Sequence, residues 1–134
     1  MPIQSLIFVM SVTFAVIVLF DVLPPRGVRQ ITVIKLREMM KDDTQSDIQY
    51  IDVRPATRFI RLHVFGFKNI PLDELKKEVG ELAKDRKIVV MSERGYYGNK
   101  ACKLLKRKGF SKLANVRGGM VTWEPHGEGF YRND

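Results

Sequence analysis

Residues 2–20 contain no charged side chain, and every Asp, Glu, Lys and Arg of this 134-residue chain lies at or after Asp21. That asymmetry splits the chain into an apolar segment and a polar remainder suited to different solvents. Nineteen residues at the helical rise of about 1.5 Å per residue reach roughly 28 Å. Val22 and Leu23 extend the run to a bilayer's hydrocarbon thickness of about 30 Å. Ile, Val, Leu and Phe dominate it. Such a β-branched stretch makes a poor helix in water, but in lipid the backbone must satisfy its own hydrogen bonds and helix wins.

A secretory signal would show a positive n-region and a small-x-small cleavage site. Residues 1–5 hold no Lys or Arg, and Leu23-Pro24-Pro25 is a poor cleavage site. Gln4, Ser5, Ser11 and Thr13 form no polar stripe of the kind an amphipathic core helix shows. Residues 1–23 are therefore expected to be one transmembrane helix, ended by Pro24-Pro25, with a linker over 24–30. Arg26, Arg29, Lys35 and Arg37 follow the span and no basic side chain precedes it. The positive-inside bias then places the C-terminal domain in the cytoplasm. The expected localisation is the cell membrane, single-pass, with membrane lipid as a partner through the N-terminal helix. A lone cysteine, Cys102, suits a reducing compartment.

The chain carries 23 Lys and Arg against 15 Asp and Glu, a formal charge of +8 borne wholly by residues 21–134. Its 45% hydrophobic and 28% charged content excludes wholesale disorder. One cysteine excludes an intramolecular disulfide framework and any multi-cysteine zinc site. With only His63 and His126 besides, no metal and no cofactor is expected. The basic balance fits a nucleic-acid partner, attraction to anionic lipid or a plain solvated surface. No nucleic-acid motif with interleaved aromatics accompanies it, so no nucleic-acid partner is expected.

Beyond residue 31 extended and helical patterns alternate. Ile31 begins a short extended piece, and Thr32 can cap a helix to Lys41. A polar loop over 42–47 leads to a buried strand over 48–53. A turn-rich stretch runs to Pro71, with a short strand near Asn69-Ile70. Leu72, Leu75, Val79 and Leu82 have amphipathic-helix spacing. Lys87-Ile88-Val89-Val90-Met91 is the near-continuous apolar run of a strand buried on both faces. After the loop Ser92-Glu93-Arg94-Gly95-Tyr96-Tyr97-Gly98, Asn99 opens a helix with Ala101, Cys102, Leu104 and Leu105 inward, stopped by Gly109. Leu113-Ala114-Asn115-Val116 is a strand, and Gly118-Gly119 leads into a helix over 120–124. This alternation predicts an α/β layered domain over 31–126 with a mostly parallel sheet flanked by helices, and a short mobile tail over 127–134.

Ligands of open α/β sheets sit at the carboxyl ends of the strands. The loop from Ser92 to Gly98 ends such a strand and opens a helix, so its N–H groups and glycines can form an anion-binding nest. Asp52 and Arg54, at the end of another strand, support it as an ion pair or through backbone hydrogen bonds.

These pieces in this order resemble the rhodanese-like (sulfurtransferase) domain. They are Ile51-Asp52-Val53-Arg54, then Phe59 with His63-Val64 and Gly66, then Asn69-Ile70-Pro71-Leu72. Ile88-Val89-Val90, Gly95, Gly109-Phe110 and Asn115-Val116-Arg117-Gly118-Gly119 with Trp123 complete them. A membrane helix before one such domain is similar to a bacterial arrangement. The resemblance implies a loop cysteine that carries sulfur as a persulfide; its pKa of about 8.5 is lowered by the nest and helix terminus. Here the aligned position is Ser92, whose hydroxyl cannot form a persulfide. The family's later Arg and Ser or Thr are replaced by Tyr97 and Gly98, and Arg94 is the loop's one arginine. Leu62 stands for the usual Gly before His63, and Phe67 for a small residue after Gly66. Related cell-cycle phosphatases need a Cys and a later Arg that are also missing. Coincident losses point to natural divergence, not to an engineered serine.

The expected function is accordingly a membrane-anchored rhodanese-like pseudoenzyme used for binding or regulation, with a protein partner or a small anion at the loop. The alternatives are a working sulfurtransferase that uses Cys102 or other loop chemistry, and a small-anion sensor neutralised by Arg94. Cys102 reads as a core thiol, His63 as part of a structural turn and Trp123 as a core anchor. Tyr96 and Tyr97 either form a binding surface or fill the space of the lost arginine.

Overall fold

A computed structural model describes residues 2–123 and 130–132. Helix α1 (Ile3–Val22) is by length and composition apolar enough to cross a membrane, and none of its side chains is buried against the rest of the protein. The strand β1 (Val28–Ile31) begins inside the stretch read as a linker, and Ile31 ends it instead of beginning it. Thr32 caps α2 (Val33–Lys41) by accepting the Lys35 N–H at 3.1 Å. A 3₁₀ turn over Asp43–Gln45 leads to β2 (Gln49–Asp52).

The stretch read as turns up to Pro71 holds three elements: α3 (Ala56–Arg61), β3 (Leu62–Val64) and β4 (Lys68–Asn69). A six-residue helix shows too little periodicity to be read locally, and β3 owes its ladder to a distant partner. The amphipathic spacing from Leu72 to Leu82 divides into α4 (Leu72–Glu78) and a 3₁₀ turn, Val79–Glu81, where Gly80 weakens the helix. Then follow β5 (Ile88–Met91), α5 (Tyr96–Arg107), β6 (Leu113–Val116) and α6 (Gly119–Trp123). The predicted end of the last helix at Glu124 lies outside the described residues. In the tail read as mobile, β7 (Phe130–Arg132) pairs antiparallel with β3, its backbone opposite Leu62 to Val64. Residues 127–129 and 133–134 lie outside the described ones.

Five strands form a parallel sheet in the order β1-β6-β5-β2-β4. Side-chain alternation sends Val89, Met91, Ala114 and Val116 to one face, with Leu36 and Met39 of α2 and Met120 and Trp123 of α6. Ile51, Ile88, Val90 and Leu113 go to the other, with Leu75 of α4 and Ala101, Cys102 and Leu105 of α5. Both faces are covered, as a parallel sheet requires.

Cys102 is 0% exposed in that second layer, and burial pushes its thiol up to about 12. The folded protein therefore holds this proton where the unfolded chain, at its ordinary value of 9.0, releases it. Stability falls as pH rises above about 9, at up to about 1.4 kcal/mol per pH unit. Urea titrations between pH 8 and 10.5 should show this slope in wild type and a shallower one in Cys102→Ala. A thiol reagent should label Cys102 only on unfolding.

Candidate functional site

The parallel strands aim their carboxyl ends at one edge of the sheet, where Ser92-Glu93-Arg94-Gly95 joins β5 to α5. Gly95 is the N-cap of α5 at φ +98, a left-handed conformation that favours glycine, and the Gly118 N–H would lie 3.1 Å from a Cβ there. The helix thus begins at Tyr96 and not at Asn99, which moves Tyr96, Tyr97 and Gly98 from the loop into its first turn. The loop's carbonyls face α6. Met120 N–H donates to Ser92 O at 2.8 Å and Val121 N–H to Glu93 O at 3.1 Å. These are donors that a helix start leaves without intrahelical partners. Gly119 allows the approach, since a Cβ there would lie 2.4 Å from Ser92 O and 2.7 Å from the Arg94 nitrogen.

Ser92 is 1% exposed, and its hydroxyl accepts the Gly95 N–H at 2.9 Å. Among the described residues no imidazole, amine or carboxylate hydrogen-bonds to that hydroxyl. Beside it lies the buried pair Asp52–Arg54. Arg54 Nε donates to both carboxylate oxygens at 3.0 and 3.1 Å, and Nη2 to Oδ2 at 2.8 Å and to the Leu62 carbonyl at 2.7 Å. The remaining Nη1 lies 3.8 Å from Glu93 Oε2. Asn69 Nδ2 donates to the Asp52 and Arg54 carbonyls. The strand end is thus tied to β3, β4 and the loop.

A cleft of about 720 Å³ opens there. Val53, Pro55, Pro71, Leu72 and Tyr97 supply its apolar wall, and Ser92 and Arg54 also line it. Its rim carries Asp73, Glu74 and Glu93 against Arg58 and Arg54. Because Arg54 is already paired with Asp52, carboxylates outnumber the cations free to meet a ligand. A second cavity of about 550 Å³, lined by Arg29, Lys35, Lys87 and Lys112, lies away from the loop.

The structure separates the residues grouped by sequence. Ser92, Glu93, Tyr97 and Arg54 meet at the cleft, with Tyr97 55% exposed. Arg94 is exposed and outside the cleft lining, which removes the basis for its role in anion neutralisation. Tyr96 turns the other way: its hydroxyl donates to the Asp21 carboxylate, and Lys100 Nζ sits 5.0 Å from its ring centroid. Gly95 and Gly98 are buried. His63 serves a turn, with Nδ1 donating to the Phe59 carbonyl at 2.7 Å and its ring stacked on Phe59 at 3.8 Å. Cys102 lies in the core and does not line the cleft.

Sequence reasoning missed Asn115. It sits in β6 on the face under α5, fully buried, and Nδ2 donates to Gly95 O at 3.1 Å and to Asn99 Oδ1 and Gln30 Oε1, each at 3.0 Å. Its Oδ1 is buried without a hydrogen-bond partner. A Cβ on residue 98 would lie 2.0 Å from that oxygen and 3.0 Å from Ser92 Oγ. Gly98 is therefore required by Asn115. The available signal was a polar residue in a strand buried on both faces.

Comparisons with known proteins agree with this architecture. The model of the family described as the rhodanese-like domain matches residues 32–126. The Bacillus subtilis protein YqhL is 31% identical over 75 residues, covering 56% of this chain and 60% of that one. A sulfurtransferase of Allochromatium vinosum is 27% identical over 85 residues, covering 63% and 78%. The chain spans about half the length of the Bacillus subtilis relatives YrkF and YqhL, 45% and 60%. Among solved structures, the rhodanese-like domain of the Anabaena protein Alr3790 superposes with a TM-score of 0.71 at 22% identity, covering 78% of this chain and 79% of that one. A rhodanese-related protein of Thermoplasma volcanium gives 0.67 at 26%, covering 77% and 97%. With the strand order, the covered sheet and the glycine-bounded loop in place, the chain belongs to the rhodanese-like domain family.

Proposed function

We propose that this chain is a membrane-anchored rhodanese-like protein that does not transfer sulfur and instead uses the cleft beside Ser92 to bind a protein segment. The observation that carries the reading is an alcohol, Ser92, where the family resemblance implies a cysteine. A hydroxyl is barely ionised at neutral pH and cannot hold sulfane sulfur. Among the described residues no general base hydrogen-bonds Ser92, and its oxygen is engaged by Gly95 N–H. The chain's one thiol, Cys102, is buried with its pKa raised to about 12, opposite to what a persulfide carrier needs.

The chemistry of the cleft selects among ligands. An apolar wall with an exposed tyrosine, rimmed by Asp73, Glu74 and Glu93, suits a peptide bearing apolar and basic groups. The same carboxylates repel a small inorganic anion. Support for the anchor is the length and apolarity of α1, and the basic residues after it favour a cytoplasmic domain.

Three measurements test the reading. Full chain in detergent should turn thiosulfate and cyanide over no faster than Ser92→Ala. Mass spectrometry after thiosulfate treatment should find no added sulfur. Turnover above that control, or sulfur on Cys102 that Cys102→Ala abolishes, rejects the idea. Protease added to intact cells should spare the domain, whereas inside-out vesicles should lose it.

The loop's divergence is tested through Gly98. Gly98→Ala should destabilise the protein by about 1–3 kcal/mol through overpacking against Asn115. In the Asn115→Ala background the same change should cost markedly less. Equal costs in both backgrounds would show that Asn115 does not dictate the glycine.

A further inference from the structure

From Arg94 to Trp123 the sequence holds eight basic residues and no acidic one, so this 30-residue stretch carries a charge equal to the whole chain's +8. Half of it is on α5. Tyr96, Lys100, Lys103 and Arg107 recur at i, i+4, i+7 and i+11, one row along the helix. The row lies opposite the buried Gly98, Ala101, Cys102 and Leu105.

This row meets the end of α1. Lys103 Nζ donates to the Phe20 carbonyl at 3.3 Å and to the Asp21 carbonyl at 3.2 Å. Lys100 Nζ lies 3.4 Å from Asp21 Oδ1, Tyr96 donates to the same carboxylate, and Lys106 Nζ donates to the Arg26 carbonyl. A 20-residue helix spans about 30 Å, the hydrocarbon thickness. Phe20 and Asp21, within its last turn, are then at the boundary between hydrocarbon and headgroups. An ammonium within 3.3 Å of their carbonyls is at that depth too. A lysine side chain is only a few bonds long, so the body of α5 lies in the headgroup layer.

We infer that the basic row of α5 is a lipid-binding face, seated against acidic phospholipid headgroups and holding the domain flat on the bilayer, with Tyr97 and the cleft beside the seat. The inference rests on the anchored reading of α1. Two observations select lipid as the occupant: the row is continuous with the point where α1 leaves the bilayer, and its charge is the complement of an acidic headgroup. Arg107 is exposed and free to add to it, and Arg26, in the connecting segment, is exposed as well.

The test is amine acylation of the full chain in nanodiscs of phosphatidylcholine with and without phosphatidylserine, read by mass spectrometry. Labelling of Lys100, Lys103 and Lys106 should fall about fivefold with the acidic lipid and recover in high salt. Lys76 and Lys77 of α4, which are exposed elsewhere, should label equally in both. Arg107→Gln should shrink the contrast at Lys103. Equal labelling of the α5 lysines in both lipids, in protein that resists carbonate extraction, overturns the lipid face while the anchor stands. Carbonate release of the chain with lysine protection retained on acidic vesicles removes the anchor and supports the face. Stronger protection by an RNA oligonucleotide than by phosphatidylserine overturns it in favour of nucleic acid.

Discussion

The buried ion pair of Asp52 and Arg54 is the constraint on which the site depends. Neither charge reaches solvent appreciably, at 0% and 4% exposure, so each must find its partners within the fold. The carboxylate takes two guanidinium nitrogens and the Arg54 N–H, and the guanidinium takes the Leu62 carbonyl besides. Removing one partner of such a pair leaves a buried charge, a cost of about 3–5 kcal/mol. The arrangement therefore acts as a register lock. It fixes the end of β2 against β3, and leaves Nη1 near Glu93 so that the loop after β5 has a defined neighbour. The cleft floor is rigid because these charges allow it one geometry.

On the other side of the loop the constraint is steric. Gly119 lets α6 come within hydrogen-bonding distance of the Ser92 and Glu93 carbonyls. Gly98 admits the Asn115 amide, which satisfies the Gly95 carbonyl and joins Asn99 and Gln30 in a partly buried polar network. In this chain a side chain from the neighbouring strand occupies space that a residue on α5 would otherwise fill. Tyr97 and Gly98 are thus consistent consequences of one rebuilt interior, and the serine sits within it. A network with only one orphan acceptor, Asn115 Oδ1, is costly to alter piecemeal.

Much of this was legible in the sequence. The apolar runs at β5 and β6, the Thr32 cap and the uncharged N-terminal run are local signals, and local signals suffice for elements buried on both faces or apolar along their whole length. What escaped has a shared cause. The pairing of β3 with β7 joins Leu62–Val64 to residues nearly seventy positions away, which no window of sequence displays. The start of α5 depends on Gly95 at positive φ, set by Gly118 and Val116 nearby and not by the helix's own composition. Adjacency groups Arg94, Tyr96 and Tyr97 in one loop, but Arg94 precedes the helix and is exposed, and the first turn of a helix fans consecutive side chains about 100° apart. Tyr96 therefore faces α1 and Tyr97 the cleft.

The end of α1 shows how far the two halves of the chain are one design. A carboxylate in the last turn of a helix opposes the negative end of its dipole. Asp21 stands there nonetheless, with Tyr96 and Lys100 upon it. Lys103 takes the Phe20 and Asp21 carbonyls, which have no intrahelical donors. The Asp21 carboxylate and the Phe20 and Asp21 carbonyls thus have their complements on α5, and Pro24-Pro25 stiffens the chain between them. The contact begins at Tyr96, one residue before Tyr97, so the end of α1 and the wall of the cleft adjoin through the first turn of α5.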